Sequence, residues 1–247
     1  MKRYIIAFLS VTAMAAALGA ASAQSVDEIM SRVDANMSFR SIRYAGRMDI
    51  TVAGETRSKT MIAMAQGSSK AFAEFTNPED RGVRYLKLDK NLWIYFPKEQ
   101  DTVKISGHLL KEGMMGSDVS YEDALESSDF HTKYASTLQG EEPVGERRCF
   151  VLELKAKIPT AAYDRWMLWV DAERFVTLKE EMYARSGKML KSSATLEVTQ
   201  IGGRWFPART QYISKIRSNT STVFTMTGVE LEPRLDPQQF SMAALTK

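Results

Sequence analysis

The spacing of apolar residues changes period along this chain, and the changes separate a helix, a long series of strands and one interruption. Val26, Ile29, Met30, Val33 and Met37 recur at helical spacing and make one apolar stripe. Ser25-Val-Asp-Glu28 has capping-box form, so a helix is expected to begin there and to dock on a sheet. After Phe39 the period falls to two. Ile42, Tyr44, Met48, Ile50 and Val52 alternate with Arg43, Arg47, Asp49 and Thr51, the pattern of a half-buried strand. Turns at Ala53-Gly54-Glu55 and Gly67-Ser68-Ser69 lead into strands over 57–64 and 70–75, and connections this short favour antiparallel neighbours. Strands over 83–88, 92–96 and 102–106 follow the turn cluster at Asn77-Pro78.

Between Gly107 and Ser128 the alternation stops. Leu109, Leu110, Met114 and Met115 stand among Gly107, Gly113 and Gly116, and the residues from Ser120 to Asp123 repeat the capping-box pattern, opening a short helix through Glu126. An excursion over the sheet, with short helical pieces and glycine hinges, is expected. Strands resume over 131–138, 148–157, 165–170, 176–184, 189–199, 204–215 and 221–231, with turns at 142–145, 186–187 and 202–203. No linker or charge block divides this stretch, so residues 24–247 are expected to form one domain around a strongly curved antiparallel sheet.

Residues 1–23 have a different pattern. Lys2 and Arg3 precede an apolar run from Tyr4 to Leu18, and Ala21-Ser22-Ala23 is a small-residue cleavage site before Gln24. A cleavable signal peptide is expected, because the run falls short of the ~20 residues a membrane span needs. Gln24 stands where a lipoprotein would require cysteine, so an unanchored periplasmic protein is expected. Two basic residues leave with the leader, taking the net charge from +3 to +1. That is too little basic excess for a nucleic-acid partner. The lone Cys149 excludes an internal disulfide and reads as a small buried residue.

Catalytic chemistry is poorly supplied. His108 and His131 lack metal-ligand spacing, and no nucleophile elbow, phosphate loop or dinucleotide fingerprint occurs. A serine paired with a distant histidine is left open by sequence alone. Asp118, Glu122, Asp123 and Glu126 read as a helix cap and a solvated face. No catalytic residue, metal or cofactor is therefore assigned, and the chain is not expected to be an enzyme.

The apolar inventory says more. Fourteen methionines are present, two of them in the leader, and Trp93, Trp166, Trp169 and Trp205 all fall on predicted strands. Over 92–96 and 165–169 nearly every residue is large and apolar, so both sheet faces need cover. The helix at Ser25 and the excursion are the candidates for that cover. A space left between the layers, lined by methionine and aromatic residues, would take apolar ligands; an ordinary core is the competing reading. Trp93, Tyr95, Leu109, Met114, Met115, Trp166 and Trp169 are the expected lining residues.

The string DKNLWIYFP over residues 89–97 resembles a strand of the periplasmic lipoprotein carrier LolA. The wider pattern is similar to the LolA-like outer membrane lipoprotein-sorting family. It is carried by Asn77-Pro78, Gly82, Tyr85-Leu86, Leu92-Trp93, Tyr95 and Pro97, then by Gly116, Ser117, Asp118, Tyr121 and Asp123, and by Leu235-Asp236-Pro237 to Phe240. The resemblance runs from Ser25 to about Met242, and its most specific string is GSDVSYED at 116–123. It implies a mainly β fold, an unclosed antiparallel β-barrel of about 11 strands with helices across its concave face. It also implies a monomeric carrier of lipoprotein or lipid cargo, with an inner-membrane transporter of ABC or RND type as donor and an outer-membrane acceptor. The family's lid-holding arginine is not matched; Lys70 lies nearest, and the role is not carried over. A sensor or accessory subunit on the same fold is the alternative.

Overall fold

The computed structural model describes residues 24–125 and 130–247. The expected signal peptide lies outside the described residues, as does the tail of the excursion at 126–129. Two antiparallel runs make up the sheet. The first holds β1 (Ser41–Val52), β2 (Glu55–Gln66), β3 (Lys70–Phe75), β4 (Arg84–Leu88), β5 (Asn91–Phe96) and β6 (Asp101–Ile105). The second holds β7 (Tyr134–Val144), β8 (Arg147–Ala156), β9 (Arg165–Asp171), β10 (Thr177–Tyr183), β11 (Met189–Ile201), β12 (Arg204–Ser214) and β13 (Thr220–Leu231). β1 pairs with β13 and joins the runs into one 13-stranded sheet whose edges are β6 and β7.

The strand count is thirteen rather than about eleven. Each predicted segment is a separate strand, including the short β4, β5 and β6, because connections of two to eight residues return the chain to the neighbouring strand. Ala53 and Gly54 both have positive φ, the condition for the tight hairpin turn that matches strand twist. One boundary differs from expectation. Residues Phe130–Lys133 form a short helix, α3, and β7 starts only at Tyr134. It then runs through Pro143 to Val144, beyond the turn expected at 142. Proline is tolerated there because β7 is an edge strand with one side unpaired.

The two sheet edges are consecutive in sequence, and the described crossover residues 106–125 lie over the inner face. The helix α1 (Val26–Met37) covers the same face at β7–β12, with its Ser25 cap accepting from the Glu28 backbone N–H at 3.2 Å. Ile29 and Met30 of α1 are fully buried against Tyr134, Leu152, Leu154, Trp166 and Leu168. Asn36 fixes the helix end: its Nδ2 donates to the Arg174 and Phe175 carbonyls at 2.8 and 2.9 Å, and its Oδ1 accepts from the Trp205 N–H at 3.1 Å. A third cover was not foreseen. Phe240 and the terminal helix α4 (Met242–Thr246) pack Leu245 on the outer face, against Phe72, Leu86, Trp93 and Tyr95. This resolves the two-faced strand at 92–96: Leu92 and Ile94 point inward, Trp93 and Tyr95 outward.

Candidate functional site

The inner faces of β1 to β5 are roofed by the crossover, and a cavity of about 290 Å³ remains between the two. Its floor is shaped by small residues. Tyr44, Ala63, Ala73 and Tyr85 lie opposite one another across β1–β4, followed by Ala65, Ala71 and Lys87 one step along. Gly46 adds to this, since a Cβ there would meet Met61 Cγ at 3.0 Å and the Phe224 ring at 3.3 Å. Met48, Met61, Leu92 and Phe224 make the apolar walls, and Met114, Val119 and Ala124 hang from the roof. Such a lining recognises shape and apolarity rather than a fixed polar pattern.

The crossover lacks long regular helix, so side chains hold it in place. Asp118, buried, accepts from Thr220 Oγ1 at 2.6 Å and Thr222 Oγ1 at 2.9 Å, while its own N–H donates to Thr222 Oγ1. Arg217 donates to the carbonyls of Ser117 at 2.8 Å and Gly116 at 3.1 Å. Ser117 Oγ, buried, donates to the Val119 carbonyl. Gly113 is obligatory here: a Cβ would sit 2.0 Å from the Ser117 carbonyl oxygen. Met115 takes the left-handed conformation at φ 52° and is turned toward the apolar cluster below.

The expected capping box is formed at α2 (Tyr121–Leu125), with Ser120 N–H donating to Asp123 at 2.7 Å and Asp123 N–H to Ser120 Oγ at 3.2 Å. Asp123 does more than cap. It accepts from Tyr163 at 2.6 Å and pairs with Lys191 of β11, tying the crossover to the far half of the sheet. Burial first, and then the Asp123 carboxylate, push the Tyr163 phenol upward, so it stays a donor. On the near side Lys87 donates to the Leu125 carbonyl at 3.2 Å, and the Tyr85 and Tyr121 rings stand 6.1 Å apart.

The seven predicted lining residues are not brought together. Met114 lines the cavity; Leu109 and Met115 pack in the surrounding cluster. Trp93 and Tyr95 lie on the outer face under α4. Trp166 faces inward but is packed beneath α1 with Tyr134 and Tyr163. Trp169 is on the opposite face from Trp166, one residue out of phase, donating to Glu142 at 2.7 Å under the Lys179 ammonium. The string Gly116, Ser117, Asp118, Tyr121 and Asp123 proves to be the anchoring of the roof. Tyr44, Ala63, Ala71, Ala73, Tyr212 and Phe224 were missed, although alanines spaced two apart in adjacent strands are a readable sign of a hollow floor.

Among the described residues no group of three or more His, Cys, Asp or Glu could hold a metal, and no helix is long and apolar enough to cross a membrane. Cys149 is fully buried, and burial pushes its thiol up to about 11, away from reactive thiolate.

One unclosed antiparallel sheet with a few covering helices is the LolA-like fold. A DUF1329 family protein from Desulfovibrio piger matches with a TM-score of 0.81 and 23% identity, over 88% of this chain and 96% of that one. A protein from Vibrio parahaemolyticus described as an outer membrane lipoprotein-sorting domain gives 0.79 and 21%, over 89% and 97%. A LolA superfamily protein from Nitrosomonas europaea gives 0.75 and 22%, over 90% and 100%. Residues 67–247 match a family model whose description reads "-like: Uncharacterized protein", and the chain belongs to that family. No curated protein matches the sequence.

Proposed function

We propose that this protein is a carrier that shields an acyl chain of a lipid or lipoprotein in the cavity beneath the crossover. The observation that carries the reading is the apolar cavity of about 290 Å³, floored by alanine and walled by methionine and aromatic side chains. A concave, largely apolar recess of this size is the usual form of a site for an apolar ligand. The roof supports exchange, because polar side chains hold it rather than a packed helix, and such contacts open at lower cost than a core. The lipoprotein-sorting description of the Vibrio structural neighbour is in keeping with the same cargo.

The wider scheme is part of the proposal. Residues 1–23 direct export, the mature chain from Gln24 moves unanchored through the periplasm, and cargo passes from an inner-membrane transporter of ABC or RND type to an outer-membrane acceptor. Two measurements test it. Mass spectrometry of the purified mature chain should find a co-purifying acyl lipid, and delipidated protein should take up a fluorescent fatty-acyl probe. Met114→Glu should weaken probe uptake at least about tenfold while leaving the far-ultraviolet circular dichroism of the sheet unchanged. Absence of both lipid and probe binding would sink the reading.

A further inference from the structure

A second chamber lies on the same inner face, beneath the C-terminal end of α1. It encloses about 250 Å³ and shares Tyr212 as a wall with the apolar cavity. Its chemistry is different. Two carboxyl groups line it, Glu180 from β10 and Asp34 from α1, together with the hydroxyls of Ser193, Thr195 and Thr210 and the rings of Phe175 and Trp205. No Lys, Arg or His lines it.

Glu180 is an unexpected residue for this place. Cross-strand pairing sets it level with the buried Leu168 on one side and Ser193 on the other, on the inward face. Ser193 Oγ donates to one of its oxygens at 2.7 Å. Lys191, a base whose charge reaches Glu180, is paired with Asp123. Burial, the largest influence, pushes the Glu180 carboxyl above the usual carboxylate range; the Asp123 charge adds to this, while Ser193 and Lys191 oppose it. Arg32 and Arg174 approach the two rings, 3.8 Å from Phe175 and 4.8 Å from Trp205. Neither lines the chamber, so the titratable group a ligand meets on β10 is the Glu180 carboxyl, and a cation seated against it would favour its charged form.

A half-buried acid beside hydroxyl acceptors is suited to an ammonium ion, which supplies a counter-charge to Glu180 and finds hydroxyl oxygens to donate to. We infer that this chamber binds the protonated amine of an amphiphile whose acyl chain lies in the adjoining apolar cavity. The inference rests on the carrier reading and specifies the cargo: a lipid with a primary ammonium group rather than a free fatty acid. A fatty-acid carboxylate brings no counter-charge to the Glu180 carboxyl, and Tyr212, which lines both chambers, sets them side by side for one molecule to use both.

The test compares three probes of equal chain length on the mature, delipidated chain by calorimetry: decylamine, decanol and decanoate. Decylamine should bind about tenfold more tightly than decanol, and decanoate more weakly than either. In Glu180→Gln, with its melting temperature checked first, the amine-to-alcohol ratio should fall to near one. Ser193→Ala, which removes only the hydroxyl that orients Glu180, should reduce the ratio partially. Equal binding of decylamine and decanol to the native chain, or an unchanged ratio in Glu180→Gln, overturns this inference and leaves the carrier reading standing. Binding of none of the three probes overturns both.

Discussion

The two covers of the inner face solve the same problem in opposite ways. At β7–β12 a regular helix is pressed onto the sheet: Ile29 and Met30 fill the space above Leu152, Leu154 and Leu168, and Asn36 makes three hydrogen bonds to the strands and turn below. At β1–β5 the cover is a chain of short turns held by Asp118, Asp123 and Arg217, and the floor beneath it is alanine. One half therefore gains stability from apolar burial. The other half gives up that burial and substitutes polar anchors, which position the roof without filling the space under it. The difference separates the packed area around Ile29 and Met30 from the area under the crossover, which is able to hold an apolar chain.

The sharpest way to break this contrast is to hollow out the scaffold. Ile29→Ala removes a fully buried side chain from under α1 and is expected to destabilise the protein by about 3 kcal/mol, within the range for such truncations. Denaturant melts would read the loss. Met114→Ala under the roof should cost well under half as much, since Met114 already borders an empty space. Equal losses would show that the roofed half is packed after all.

Acid should separate the halves next. The turn that Asn36 grips is built on Asp171, which pairs with Arg147 at 2.7 and 2.8 Å and accepts from the Glu173 and Arg174 N–H groups at 2.9 Å. Burial alone would raise this carboxyl, but Arg147 and the two N–H groups outweigh it and hold it below the usual carboxylate range. A carboxylate depressed in the folded state stabilises at any pH above its unfolded value and loses that contribution as pH falls through the folded value. The window thus lies below about pH 4. Hydrogen exchange should quicken there in 172–175 and at the end of α1 before it quickens in β1–β3, and Asp171→Asn should produce the same loosening at neutral pH. Acid opening of β1–β3 first would reverse the assignment.

The sequence makes one half of this contrast far more legible than the other. The stripe from Val26 to Met37, the alternation in β1 and the two capping boxes are local signals, and each corresponds to an observed element. Neither the facing of individual side chains nor the third cover is local. Trp166 and Trp169 read alike as bulky strand residues, yet three positions apart they must point to opposite faces. Trp93 and Tyr95 read from sequence as cavity lining, yet α4, more than a hundred residues later, covers them on the outer face. The motif at 116–123 was visible, but its work as an anchor depends on Thr220, Thr222 and Lys191, which only the sheet pairing brings near. A hollow is harder still to read, because it is signalled by small residues that attract no notice singly.

Those small residues give the finest test of the comparison. Ala73 faces the cavity between Ala63 and Tyr85, with space above it. A leucine there projects into the void, so it adds apolar contact without displacing a neighbour. Stability should stay within about 1 kcal/mol of the native chain, and a small gain is the expected sign. Binding should move the other way: a longer side chain removes part of the volume an acyl chain would occupy, and uptake of the fatty-acyl probe should fall at least about tenfold. In a filled core the same substitution would be destabilising by overpacking, as it should be for Ala208→Leu, a buried alanine on β12 that borders neither chamber. If Ala73→Leu unfolds the protein as Ala208→Leu does, the space under the roof is not available to a ligand. If it leaves both stability and binding untouched, the acyl chain lies elsewhere on the sheet.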